Sequence, residues 1–134
     1  MPSIKSKKPH HIRLGRRGER CAARALRRRG YSIIDRNYRT PVGEIDIVAR
    51  HGDTLVFVEV KTRRNADDIL PEDSVGTAKQ RHIYRTAQFY LNEKNVSPDT
   101  DCRFDVISVT LSDRWWSRTQ IEIFQNAFDA PAWG

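Results

Sequence analysis

Two β-rich apolar runs in this 134-residue chain carry charged residues where burial is expected: "GEIDIVARH" holds Glu44 and Asp46, and "TLVFVEVKTR" holds Glu59 and Lys61. A carboxylate taken out of water needs a partner charge or a metal ion. Gly52 and Asp53, between the runs, have the composition of a two-residue hairpin turn led by glycine. Such a turn sets His51 against Thr54, Asp46 against Glu59 and Glu44 against Lys61. Period-two alternation then places all four side chains on one face, with directly opposed Cβ atoms about 4.5 to 5.5 Å apart. Carboxylates that close repel, and the flanking Ile, Val and Phe leave little water to screen them. A divalent cation would resolve the conflict. Oxygen-only donors favour a hard ion, Mg2+ or Mn2+, which keeps several waters and bridges to phosphates. The competing reading is a half-exposed sheet face on which Glu44 and Lys61 form a cross-strand ion pair. A turn of another length would shift Asp46 to a diagonal position.

The elements that must position these residues follow from periodicity. Leu14, Gly18, Ala22, Ala25 and Leu26 recur at helical spacing, Gly30 closes the pattern as a C′ glycine, and arginines cover the other face. Glu19 falls on the rim of the small-residue stripe and points toward whatever the helix covers; the alternative is a surface partner for a neighbouring arginine. "YSIIDRNY" precedes the two acidic runs, so an antiparallel meander of three strands is expected. Beyond the loop "RRNADDILPED" a helix over residues 74–94 gathers Lys79, Ile83, Ala87, Tyr90 and Leu91 on one face. "CRFDVISVTL" is a further strand, and "TQIEIF" another at an edge. A sheet flanked by helices, α/β in class, results.

Length and composition bound the rest. The chain is 38% hydrophobic and 31% charged, as expected of one globular domain. The expected division is a flexible basic arm over 1–12, a single domain over 13–125 and a tail over 126–134. No run approaches the roughly 20 apolar residues of a membrane span, and "MPSIKSKKPHHIR" lacks the apolar core of a secretory signal. No membrane association and a cytoplasmic location are therefore expected. Cys21 and Cys102 show no metal-ligand spacing and are expected to be reduced. Charge is uneven: residues 1–29 hold eleven Lys/Arg against Glu19 alone, whereas the rest of the chain is slightly acidic. A positive segment on such a body is the footprint of a protein that meets phosphates; a solubilising arm is the plainer alternative.

Asp46 followed by Glu59-Val60-Lys61 on a hairpin, after a helix bearing Glu19, resembles the PD-(D/E)XK nuclease superfamily. More narrowly, "RNYR", "GEIDIVA", "LVFVEVKTR" and "RFDVI" in this order resemble the YraN-like family of bacterial proteins, grouped with Holliday-junction-resolvase-like nucleases. Ile45 stands where the superfamily name has proline. The resemblance runs from about Gly15 to Val109 and implies a restriction-endonuclease-like αβββαβ core with a mixed sheet. It implies that Asp46, Glu59, the Val60 carbonyl and Glu19 hold Mg2+ or Mn2+. Lys61 would orient or deprotonate the attacking water and offset charge on the transition state. The implied reaction is hydrolysis of DNA, including branched or damaged forms, to a 5′-phosphate and a 3′-hydroxyl. A homodimer would be needed to cut two strands.

Arg16, Arg17, Arg36, Arg39, Arg63 and Lys79 are candidates for gripping the DNA backbone, Lys79 on the strength of the resemblance and against snorkelling, the more frequent role of a lysine at a helix end. Asn37 reads more simply as a turn residue tolerating positive φ, and Asp105 as half of an ion pair with Arg103. His10, His11, His51 and His82 lack ligand spacing. Trp115 and Trp116 suit base stacking or capping of a core edge. Two rivals to the nuclease reading come from other classes: a nucleic-acid-binding module that keeps the fold without turnover, and a protein-interaction adaptor.

Overall fold

The computed structural model describes residues 10–64, 76–112 and 118–129, the first five of them as backbone alone. Most of the expected arm, the greater part of the acidic loop, Ser74, Trp115, Trp116 and the end of the tail lie outside the described residues. α1 spans His10–Arg28. It therefore begins within the stretch expected to be a flexible arm. Gly18, Ala22, Ala23 and Leu26 are buried while Arg16, Arg17, Arg20, Arg24, Arg27 and Arg28 stay exposed, as an amphipathic helix requires. Gly30, at φ 89°, stops it.

β1 (Tyr31–Thr40), β2 (Gly43–His51) and β3 (Thr54–Arg63) form the meander, antiparallel throughout. α2 (Thr77–Glu93) carries the chain back, so that β4 (Cys102–Thr110) lies parallel to β3. A crossover of this kind is what parallel pairing demands. β5 (Gln120–Phe124) returns antiparallel at the edge, giving one mixed sheet ordered β1-β2-β3-β4-β5.

Alternation along β2 and β3 assigns the two cores. Ile47, Ala49, Val56 and Val58 pack with Ala22, Ala23 and Leu26 of α1. Val48, Leu55 and Phe57 pack on the other face with Ile83, Ala87 and Tyr90 of α2. Thr86 of α2, also fully buried, escapes the apolar pattern because its hydroxyl is satisfied within the helix, donating to the His82 carbonyl at 2.7 Å.

Two features lie away from the acidic end of the hairpin. Asp105 is completely buried and accepts from Arg103 Nε at 2.8 Å, Arg103 Nη2 at 2.9 Å, Tyr31 Oη at 2.8 Å and the Asn126 N–H at 2.9 Å. The Arg103–Asp105 ion pair is thus structural, and its two carboxylate oxygens each have two donors. The start of the expected tail packs back on the sheet: Ala127 N–H donates to the Phe104 carbonyl at 2.8 Å, and the Phe128 ring stacks on Phe104 at 5.0 Å.

Candidate functional site

Turn chemistry set the hairpin register correctly: His51 faces Thr54, and the ladder runs in step to Ile47–Val58, with Gly52 at φ 62° leading the turn. The expected one-face arrangement of the acids gives way just beyond that last pair. Ile45 and Ile47 are two residues apart, yet Ile45 packs with α2 and Ile47 with α1, so alternation breaks at Asp46. The cause lies in the neighbouring strand. Between the registered pairs Arg36–Ile47 and Tyr38–Ile45, Asn37 adopts φ 53°, a left-handed conformation that asparagine tolerates better than most residues. Asp46 consequently turns into the gap between β2 and β3, where its Oδ2 accepts the Val60 N–H at 2.8 Å. The carboxylate replaces a main-chain acceptor and holds the fork open.

This kink sorts the charged groups. With Ile45 facing α2, Glu44 projects toward α1, and carboxylate oxygens of Glu19, Glu44 and Asp46 lie within 4.8 Å of one another. Glu44 forms its ion pair with Arg39, its partner on β1, at 3.3 Å. The ion pair with Lys61 that the competing reading required is therefore not the one Glu44 makes. Glu59 keeps step with Leu55 and Phe57 and faces α2. Its side chain is 8% exposed, and Oε1 lies 2.6 Å from Lys79 Nζ and 3.6 Å from Lys61 Nζ.

Close helix packing makes these distances possible. A Cβ at Gly18 would meet Thr62 Oγ1 of β3 at 1.9 Å, so only glycine lets the helix preceding Glu19 rest on the strand. On the other side a Cβ at Gly43 would meet Thr86 Oγ1 of α2 at 2.8 Å. His82 Nδ1 lies 3.0 Å from the Val42 carbonyl, fixing α2 to the same turn.

The electrostatics follow from crowding. Burial, then the Glu59 charge, push the Asp46 carboxyl up to about 8, against the opposing pull of the Val60 N–H. Burial raises Glu19 as well; a hydrogen bond from the Asn37 side chain works against this and the Glu44 charge adds to it. Burial and the adjacent Lys79 lower Lys61. Lys79 moves the other way: burial opposes its charge, but contact with Glu59 prevails and raises it. The acids therefore divide into one carboxylate paired with lysine and three that crowd together with exposed Arg36 and Arg39 as nearby cations.

A hard divalent cation fits that donor set. Three carboxylates within one ion's reach, all oxygen donors, match the coordination chemistry of Mg2+ or Mn2+, and burial together with the Glu59 charge disfavours the ionised Asp46 that such an ion would stabilise. Glu44 is the member that sequence reasoning placed nearby without making it a ligand; its spacing from Asp46 was visible, but the kink that sends it to Glu19 was not. Among the backbone-gripping candidates, Arg16, Arg17, Arg36 and Arg39 are exposed, and Arg36 and Arg39 lie close enough to Glu19 to lower its pKa. Arg63 is half-buried, its Nε donating to Thr110 Oγ1 at 2.9 Å.

A protein-family model described as "Uncharacterised protein family UPF0102" matches residues 18–109, a span that contains the whole acidic site. A UPF0102 protein of Syntrophotalea carbinolica is 52% identical over 91% of this chain and 96% of its own length. One from Geobacter sulfurreducens is 49% identical over 90% and 92%, and one from Desulfosudis oleivorans 47% identical over 87% and 89%. The mixed sheet, the acids of the hairpin and these likenesses agree: the chain belongs to the UPF0102 (YraN-like) family, a member of the PD-(D/E)XK-like nuclease superfamily.

Proposed function

We propose that this protein is a metal-dependent deoxyribonuclease whose active site is the fork between β2 and β3. The observation that carries this reading is the convergence of Glu19, Glu44 and Asp46 beside Glu59 and Lys61, in a chain of a nuclease-like superfamily. Asp46, Glu19 and Glu44 would hold Mg2+ or Mn2+, with Glu59 and the Val60 carbonyl as further donors. Bound there, the ion would lower the pKa of a coordinated water and offset charge on the phosphate.

The side chains supply the rest. Lys61 projects from β3 beside Glu59, half-buried and with its ammonium form disfavoured by burial and by Lys79. Its Nζ would orient the attacking water and take its proton. In-line attack forms a P–O bond from water and breaks the bond to the 3′ oxygen, leaving a 5′-phosphate and a 3′-hydroxyl. Arg16, Arg17, Arg36 and Arg39 would hold flanking phosphates, which position the strand without reading sequence. Branched and damaged DNA belong among the substrates to be compared, and cutting both strands of a junction calls for a two-fold dimer.

One observation favours a second reading. Glu59 is already ion-paired with Lys79 and Lys61, as in a module that uses the fold to bind nucleic acid without turnover. Incubating the protein with single-stranded, duplex and four-way-junction DNA in Mg2+ and in Mn2+ separates the two. Cleavage lost in EDTA and in both Glu59→Ala and Lys61→Ala establishes the nuclease; binding without cleavage, surviving Glu59→Ala, establishes the module.

A further inference from the structure

We propose that Lys79 is a positioning residue that occupies Glu59 as an internal counter-cation, so that a divalent ion entering the fork must displace the lysine from this carboxylate. The inference rests on the metal-dependent reading above and concerns how that site behaves before the ion arrives. Three facts carry it. Lys79 Nζ lies 2.6 Å from Glu59 Oε1, closer than Lys61 at 3.6 Å, although Lys61 is on the same strand as Glu59. The Glu59 side chain is 8% exposed, so it has little water to fall back on, whereas the Lys79 side chain is 46% exposed and keeps a route to solvent. Finally, the three carboxylates that lie within reach of one ion are Glu19, Glu44 and Asp46; Glu59 does not share that group.

The physical consequence is a competition. A buried carboxylate left alone among other acids is costly, and in the metal-free protein Lys79 removes that cost at Glu59. A divalent ion ligated by Glu59 supplies the same compensation with twice the charge, and the two cations repel at such short range. Lys79 can leave because its stem is flexible and its ammonium is already half in water. Lys61 is less suited to the same exchange, being only 15% exposed at its side chain. Lys79 therefore stabilises the empty site and weakens metal binding by the same contact, as linkage requires.

The test is Mn2+ binding by isothermal titration calorimetry, with thermal unfolding in EDTA alongside, for the full-length protein and its Lys79→Met, Lys79→Arg, Glu59→Gln and Lys79→Met/Glu59→Gln variants. Lys79→Met is expected to bind Mn2+ about tenfold more tightly than the unaltered protein, to unfold at lower temperature in EDTA and to gain more from Mn2+. Lys79→Arg keeps the charge and should stay near the unaltered affinity, which also controls for misfolding. In the Glu59→Gln background the Lys79→Met substitution should no longer change affinity. Mn2+ affinity that is unchanged or weaker in a folded Lys79→Met variant overturns the proposal while the metal reading stands. Absence of Mn2+ binding in every variant at millimolar concentration overturns both.

Discussion

Asp46 is hemmed between strands, with a peptide N–H on one side and the charges of Glu59, Glu19 and Glu44 on the others. Its carboxyl is raised from an ordinary 3.8 to about 8, and the sign of the consequence is definite. A group that holds its proton more tightly when folded stabilises the fold below its unfolded pKa and loses that contribution as pH rises through the folded value. The metal-free protein should therefore lose thermal stability between pH 5 and pH 8.5, Asp46→Asn should flatten that slope, and Mn2+ should restore more stability at pH 8.5 than at pH 6. A thermal melt series in EDTA that is level across this range would remove the argument. At this scale the sequence exposed the acids and the hairpin register as far as Ile47–Val58, because a glycine-led turn fixes it. It concealed the partition of those acids, because Asn37 read as a turn residue and its positive φ falls instead within β1, where it redirects the residue opposite.

Glycine decides how closely each helix approaches the fork. A methyl group at Gly18 would sit 1.9 Å from Thr62 Oγ1 and 2.8 Å from Thr62 Cβ. Gly18→Ala must then push α1 away from β3, with a cost of about 1 to 3 kcal/mol for overpacking. It also displaces Glu19, one residue along. Urea denaturation should show the lost stability, and Thr62→Ala should recover part of it by removing the two nearest atoms; no cost in Gly18→Ala would mean that the helix is free to shift. At the opposite end of the sheet the Asp105 network joins β1, β4 and the segment after β5. Asp105→Ala leaves Arg103 without its carboxylate, and because the arginine side chain is 19% exposed the loss should be near the low end for a buried pair, about 3 kcal/mol. Tyr31→Phe, which removes one of four donors, should cost about 1 kcal/mol. This network was legible as a pair from the spacing of Arg103 and Asp105. Its partners Tyr31 and Asn126 were not, since only the closed sheet brings them together.

Across the whole molecule, charge is the property that a nucleic-acid partner would meet first. The chain carries a formal net charge of +7, yet the excess is concentrated before residue 30. The exposed arginines of α1 provide part of it, and Lys5, Lys7 and Lys8 precede that helix. Each lysine that neutralises a duplex phosphate releases condensed counterion and contributes about 0.9 to the negative slope of log affinity against log salt. Removing residues 1–9 should therefore reduce the slope by up to about 3 if all three lysines contact phosphate, with duplex affinity weakened most at low salt. Fluorescence anisotropy with a labelled duplex, measured from about 50 to 200 mM salt in EDTA, reads this without any contribution from cleavage or metal. An unchanged slope would assign the electrostatic contact to α1 and to Arg36 and Arg39 beside the acidic fork. In that case Arg36→Ala and Arg39→Ala should each lower the slope by about 0.9, and the same pair of substitutions should raise the Glu19 carboxyl further by removing the two arginine charges that hold it down.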